Sequence, residues 1–275
     1  MSDASGFSAG KLTLLGGGNM GGAMLRGWIA AGLDPSSVTV VDPRPSDAIA
    51  PLFEQGVRHG TTAPAEPQDV VVLAVKPQLL DEAAAPLASS LVAGTLVISV
   101  AAGRTIASIE QLLGEHPVVR AMPNTPALIG RGITGAFANA RVDAHARAVA
   151  DRLLSASGPV EWVRSEAEID MVTAVSGSGP AYVFFLAEAL AEAGAAAGLD
   201  PALAMRLARH TVAGAGELMI RAEEEPAQLR RNVTSPKGTT EAALKVLMAE
   251  EDGFGPLLRR AVSAAKTRAE ELSKG

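Results

Sequence analysis

One segment constrains this chain more than any other: Gly16-Gly17-Gly18-Asn19-Met20-Gly21 follows the apolar run Leu12 to Leu15 and opens a helical pattern over Met20 to Ala31. It fits G-x-G-x-x-G, and each glycine has a physical duty. Gly16 makes a tight turn, Gly18 lets backbone approach a pyrophosphate, and Gly21 allows close packing of helix on sheet. The N-terminus of the helix attracts the anion. A merely tight turn needs only the first of these, so the segment points to dinucleotide binding.

Four further apolar runs, Val38 to Val41, Val70 to Val75, Leu96 to Val100 and Val118 to Met122, read as strands. Helix-length stretches such as Gln78 to Leu91 lie between most of them. Continuous apolar strands separated by helices predict a parallel sheet covered on both faces. The first domain, 1–163, is therefore expected to be a Rossmann-type, doubly wound, mostly parallel α/β fold. After Gly158-Pro159-Val160 no further strand run is seen. Helical patterns cover Glu166 to Val175, Pro180 to Ala197, Pro201 to Glu224, Thr239 to Glu250 and Pro256 to Ser273, so 164–275 is expected to be all-α.

Within that second domain, Ala181 to Ala197 carries only Glu188 and Glu192 as charges. A helix that is apolar nearly all round must be buried from most directions. Either it is the central helix of its own domain, or it packs between subunits, where an obligate interface resembles a domain core cut in half.

Composition narrows the partners. Of 275 residues 48% are hydrophobic, but only six Phe, two Trp and one Tyr are aromatic, which argues against a stacking platform for bases. The net charge is −6, and a cut after Val163 leaves 11 basic and 14 acidic residues before it and 13 and 16 after it. Neither part has the basic excess of a nucleic-acid binder. There is no cysteine, which removes disulfides, thiolate metal sites and a thiol nucleophile. The four histidines, His59, His116, His145 and His210, have no ligand spacing, so no metal is expected. Residues 1–6 lack the basic and apolar regions of a secretory signal. The uncharged run Ala83 to Gly103 is interrupted by Pro86, Ser89, Ser90 and Gly94 and reads as a buried strand rather than a span, so the chain is taken as cytoplasmic, without a membrane partner.

Asp42 lies where an acid would bind a ribose 2′-hydroxyl, yet Arg44 and Ser46 follow, and an arginine suits a 2′-phosphate. The signals conflict: NADP is favoured and NAD stays open. Ala74-Val75-Lys76-Pro77 closes another strand at the ligand-holding edge, where Lys76 either approaches a cofactor or is an exposed charge. Met122-Pro123-Asn124-Thr125-Pro126 is a rigid turn near the same edge, with or without a ligand. Ser176-Gly177-Ser178-Gly179-Pro180 reads as a flexible loop or hinge before a helix. In Asn232-Val233-Thr234-Ser235-Pro236-Lys237-Gly238-Thr239-Thr240-Glu241, hydroxyls and a glycine stand at a helix start. That suits a carboxylate, or simply Thr239 or Thr240 capping its own helix.

Taken together and in this order, GGGNMG, AVKP, MPNTP, SGSGPAY and NVTSPKGTTEAAL resemble the pyrroline-5-carboxylate reductases, from Lys11 to about Leu272. The resemblance implies hydride transfer from NADPH, or NADH, to the imine carbon of Δ1-pyrroline-5-carboxylate, giving L-proline. By the family pattern Thr240 would meet the ring nitrogen as the catalytic group, while Ser235, Gly238 and Thr239 would hold the carboxylate, with Glu166 at the site wall. Gly16, Gly17, Gly18, Asn19, Met20, Ala74, Val75, Lys76, Pro77, Ala101 and Asn232 would contact the cofactor. Family members commonly interlock their helical domains as homodimers, often building to rings of five dimers, a decamer. Two residues depart from the pattern: Lys237 stands where a smaller residue is usual, and Asp42 where a neutral or basic one is expected for strict NADPH use. The alternatives are a related imine or hydroxyacid reductase and a non-catalytic dinucleotide sensor.

Overall fold

A computed structural model describes residues 7–274; residues 1–6, read above as lacking a secretory signal, lie outside the described residues. The strands are β1 (Leu12–Leu15), β2 (Val38–Val41), β3 (Arg58–Gly60), β4 (Gln68–Leu73), β5 (Leu91–Ser99), β6 (Val118–Met122), β7 (Thr134–Ala138) and β8 (Val160–Trp162). The helices are α1 (Asn19–Ala30), α2 (Ala50–Glu54), α3 (Leu80–Ala84), α4 (Ile106–Leu113), α5 (Ala144–Ser155), α6 (Glu168–Val172), α7 (Gly179–Ala196), α8 (Pro201–Arg221), α9 (Pro226–Asn232), α10 (Thr239–Leu247) and α11 (Phe254–Lys274).

All eight strands form one sheet in the order β3-β2-β1-β4-β5-β6-β7-β8. The first six follow the doubly wound dinucleotide-binding order, with the reversal between β1 and β4. Every pairing is parallel except β6 with β7. The connection from Met122 to Thr134 holds only a short 3₁₀ turn, Thr125–Ile129, too little for the crossover that a parallel pair needs. The expected α/β fold with a following helical part is what the chain adopts.

Both faces of the sheet are dry. On one, Leu12, Leu14, Val38, Val40, Val70 and Val72 pack with Met24, Leu25 and Trp28 of α1 and Leu153 and Leu154 of α5. On the other, Leu15, Val71, Leu73 and Val97 pack with Leu80 of α3 and Ile106, Ile109 and Leu113 of α4. Alternate residues of each strand thus go to opposite cores, which is why the central strand sequences are largely apolar. The Trp28 indole N–H donates to Leu153 O at 2.7 Å, so that buried polar atom is satisfied.

Several local expectations are corrected. Gln78 to Leu91 is not one helix: Pro77 and Pro86 start 3₁₀ turns on either side of the short α3, and Leu91 begins β5. Three strands lacked a run of apolar residues long enough to read, β3, β7 and β8. The last of these follows Gly158, where no further strand was expected. The Ser176 to Pro180 segment is helical rather than a loop, because Thr173–Gly177 forms a π-helical turn directly before α7. The stretches ending at Glu224 and Glu250 stop at Arg221 and Leu247, and α9 was not anticipated.

By its packing the chain forms two compact units, one of residues up to Gly177 together with those from Lys266 on, the other Ser178–Ala265. In the first unit the last turn of α11 sits on the loop after β5, where a Cβ on Gly103 would come 2.9 Å from Leu272 Cβ. In the second unit Ala191 of α7 packs with Ala204 and Ala208 of α8, a contact built from small side chains. Little of the rest of α7 is buried: Phe184 is 62% exposed and Phe185 67%, with Val183, Leu186 and Leu190 also exposed. It is therefore not the central core helix of a single chain. The helical run Glu168–Ala196 is long and apolar enough, by length and composition, to cross a membrane.

Candidate functional site

At the reversal between β1 and β4 the backbone forms the turn that the glycines foretold. Gly16 has φ +100°, and a Cβ there would lie 2.7 Å from Ala74 O. A Cβ on Gly21 would lie 2.0 Å from Gly16 O, so only glycine lets α1 approach the turn. Gly18 differs from both: its Cβ would meet nothing within 4 Å, leaving the backbone open on that side. Gly18 and Asn19 are exposed while Gly16 and Gly17 are buried. Gly18 is the N-cap of α1 with no side-chain cap, and no acidic residue stands in the first turn. Open N–H groups and an open backbone beside them fit a dinucleotide pyrophosphate.

The neighbouring segments gather at the same edge. Ala74 N–H donates to Leu15 O at 2.8 Å and Val100 N–H to Leu73 O at 3.0 Å, which brings Ala74–Pro77 and Ala101 beside the glycine turn. Lys76 is exposed and is the N-cap of the 3₁₀ turn Pro77–Leu79 without a side-chain cap bond.

Asp42, at the end of β2, behaves unlike a free ribose ligand. Its Oδ2 accepts from Gly17 N–H at 2.7 Å and its Oδ1 from Arg44 N–H at 2.8 Å. Ser46 N–H donates to Gly17 O at 2.8 Å, tying this stretch to the glycine turn a second time. Arg44 itself is exposed, and among the described residues its guanidinium has no hydrogen-bond or ion-pair partner.

Glu166 is in the first unit and is committed to structure through one oxygen. Its Oε1 accepts from Ile106 N–H, at the start of α4, at 2.7 Å and from Arg120 at 3.2 Å. Arg120, 3% exposed in its side chain, also donates to Asp170 at 2.8 Å and Ser273 at 3.2 Å, joining β6, α6 and the end of α11. This cluster was missed in the sequence. A charged residue in the middle of the buried run Val118 to Met122 was its available signal, since a buried charge demands partners.

The second unit carries the hydroxyl-rich segment. The N-cap of α10 is Gly238, and no side chain caps it. The expectation that Thr239 or Thr240 caps its own helix is thus corrected: both lie inside the first turn, where N–H groups have no helical acceptor. The turn before them is tight. Gly238 N–H donates to Ser235 O at 3.0 Å, and a Cβ on Gly238 would lie 3.0 Å from that same oxygen. Lys237 has φ +60°, the only non-glycine with positive φ among the described residues, and its N–H donates to Glu241 at 2.5 Å. The left-handed conformation explains why a smaller residue suits this position. Asn232 ends α9, with its Oδ1 accepting from Gln228 at 2.6 Å.

The candidate residues therefore fall into two sets. Gly16–Gly21, Asp42, Arg44, Ala74–Pro77, Ala101 and Glu166 belong to the first unit, and Asn232, Ser235, Gly238, Thr239 and Thr240 to the second. No group of three or more metal-ligating side chains occurs among the described residues.

Comparison with known proteins gives two family matches. Residues 166–272 match the pyrroline-5-carboxylate reductase dimerisation domain, and residues 11–103 match the coenzyme F420-dependent NADP oxidoreductase domain. The pyrroline-5-carboxylate reductase of Pseudomonas aeruginosa is 43% identical over 271 residues, covering 98% of each chain. The structure of such a reductase from Coxiella burnetii superposes with a TM-score of 0.89 at 41% identity, covering 97% of this chain and all of that one. The Plasmodium falciparum pyrroline carboxylate reductase, solved with NADP bound, gives 0.80 at 28% identity over 96% and 98%.

Proposed function

The chain belongs to the pyrroline-5-carboxylate reductases, oxidoreductases of proline biosynthesis that use a nicotinamide dinucleotide, and from that premise we propose how its own residues divide the work. When bound, the dinucleotide supplies hydride from its nicotinamide ring to the imine carbon of Δ1-pyrroline-5-carboxylate, and L-proline results. The glycine turn and the first N–H groups of α1 hold the pyrophosphate. Ala74–Pro77 and Ala101 line the reacting end. In the second unit, the Thr239 N–H, at the turn that Gly238 makes, and the Ser235 hydroxyl hold the substrate carboxylate, and Thr240 Oγ1 meets the ring nitrogen. The protonated imine is already electrophilic, so Thr240 has only to orient the ring and hold its N–H. Asn232 contributes to the cofactor side and Glu166 to the site wall.

The observation that carries this assignment is the uncapped start of α10. A helix whose first turn holds Thr239 and Thr240 but spends neither hydroxyl on its own N-cap keeps its first N–H groups for a carboxylate and its hydroxyls for the rest of the substrate. The free guanidinium of Arg44, with the Ser46 hydroxyl two residues on, favours NADPH over NADH. The exposed apolar surface of α7 favours a homodimer through the helical unit, with a decamer as its further assembly. A reductase of this kind draws on the cytoplasmic nicotinamide pool, and the net charge of −6 suits neither nucleic acid nor an anionic membrane.

The test is oxidation of NADPH and of NADH in the presence of pyrroline-5-carboxylate. Turnover is expected, faster with NADPH, and Thr240→Ala should lower kcat/KM by about 10²-fold or less, the loss of one positioning hydrogen bond. Wild-type turnover in that variant removes Thr240 from the reaction. No turnover with either cofactor points to the dinucleotide sensor instead.

A further inference from the structure

We propose that Asp42 is a positioning residue for the adenosine 2′-phosphate: it braces the glycine turn and presents Arg44 to the phosphate, rather than binding a ribose hydroxyl itself. The proposal rests on the NADPH preference argued above and deepens it. An acid at the end of the second strand ordinarily favours NAD, because it accepts from the 2′-hydroxyl and repels a phosphate in the same place. Here the surroundings of that acid reverse its meaning.

Every polar group of Asp42 has a protein partner. Its N–H donates to Gly60 O at 3.1 Å. Its carbonyl oxygen meets His59 Nε2 at 2.8 Å. Its carboxylate oxygens take the N–H groups of Gly17 at 2.7 Å and Arg44 at 2.8 Å. Those last two are short, charge-assisted bonds, the strong kind, and the one from Gly17 is half-buried. They draw negative charge away from the open side of the carboxylate. They also fix the backbone of Arg44, the residue whose side chain is exposed and unpartnered. With Ser46 N–H bonded to Gly17 O at 2.8 Å, the stretch from Asp42 to Ser46 is fastened to the glycine turn at two points and braced internally by the bond from Arg44 N–H to Asp42. Arg44 and Ser46 are held on a rigid loop instead of a floppy one, so less freedom is lost when they close on a phosphate.

Two kinds of measurement separate the bracing role from direct binding. The first is amide hydrogen exchange in the ligand-free protein. Asp42→Ala should speed exchange at Gly17 and Arg44, while Asp42→Asn, which keeps one acceptor oxygen, should give an intermediate result. The second is equilibrium binding of NADP⁺ and NAD⁺ by calorimetry. In the wild type NADP⁺ should bind more tightly. In Asp42→Ala the preference should shrink by about tenfold, the worth of a hydrogen bond to a charged group. Arg44→Ala should remove the preference, and adding Asp42→Ala to it should shrink the preference no further, because Asp42 acts through Arg44.

A direct ribose ligand gives the opposite sign: losing it would raise the NADP⁺ preference. A raised or unchanged preference in Asp42→Ala, or unchanged amide exchange, overturns the proposal. Wild-type protein that binds NAD⁺ as tightly as NADP⁺ overturns the underlying cofactor assignment instead, and is seen before any variant is made. If Asp42→Ala does not fold, Asp42→Asn carries the same comparison with a smaller shift.

Discussion

Replacing Gly18 and Gly21 by alanine, one at a time, should separate two duties that a single motif combines. A Cβ on Gly21 would stand 2.0 Å from the carbonyl oxygen of Gly16 and 3.2 Å from Ala74 Cβ. Relief requires α1 to retreat from the turn by on the order of 1 Å, against a core in which Met24, Leu25 and Trp28 are fully packed. Overpacking of this kind costs about 1–3 kcal/mol and more where the obstacle is backbone; the better helix propensity of alanine returns at most about 1 kcal/mol. Gly21→Ala should therefore lose about 2 kcal/mol. Gly18 has φ −73° and ψ −158°, a conformation open to alanine, and no protein atom stands within 4 Å of the added carbon. Gly18→Ala should be neutral or more stable by about 0.4–1 kcal/mol, through the unfolded chain. Its methyl group nevertheless occupies the side from which the pyrophosphate approaches, so NADP⁺ affinity should fall by at least about tenfold. Urea unfolding of the ligand-free protein and calorimetric titration measure the two effects separately. Gly21→Ala as stable as the parent would refute the packing argument. Gly18→Ala with parental affinity would refute the approach of the pyrophosphate from that side.

Arg120→Met should destabilise the protein by about 3–5 kcal/mol in urea unfolding, since it leaves Asp170 and Glu166 without the guanidinium they share; a loss below about 1 kcal/mol would show the cluster to be dispensable. If the exposed face of α7 is the proposed homodimer contact, Phe184→Glu combined with Phe185→Glu should give a monomer in sedimentation velocity, with little change in far-UV circular dichroism because both side chains are exposed in the single chain. A variant that still sediments as a dimer would place the subunit contact elsewhere.

The parallel sheet was legible because strands buried on both faces must be apolar at nearly every position, as Val38 to Val41 and Val118 to Met122 are apart from Thr39 and Arg120. The same logic hid β3, β7 and β8. Arg58-His59-Gly60 and Val160-Glu161-Trp162 are three-residue pairings near the sheet edges, and Thr134 to Ala138 is made of small residues with no β-branched run. Gly16, Gly18 and Gly21 announced their duties through spacing alone, because each duty is a backbone matter. Asp42 did not. Spacing placed a carboxylate at the strand end, but whether it faces a ligand or the N–H groups of its own turn depends on how the chain bends between Asp42 and Ser46. The capping role expected of Thr239 or Thr240 failed for a related reason: the helix starts at Thr239 with Gly238 in the cap position, and a single residue of phase decides which groups are left for a ligand. The all-apolar character of α7 showed that it must be covered, yet nothing in a helix pattern says by what.

The last turn of α11 has a consequence for how the protein is made. Ser273 hydrogen-bonds Arg120 across 153 residues of sequence and Asp170 across 103, and Leu272 lies against the loop at Gly103. The nucleotide-binding unit therefore waits for Leu272 and Ser273. During synthesis its sheet is complete by Trp162, but Arg120 and Asp170 lack one partner until Ser273 has left the ribosome. Such long-range closure comes late, because the loop entropy is lost before the contact is gained. For as long as about a hundred residues remain to be translated, the unit stands unfinished, and at roughly 5–20 residues per second that interval lasts several seconds or more. Ser273→Ala would remove that partner from both Arg120 and Asp170 at once.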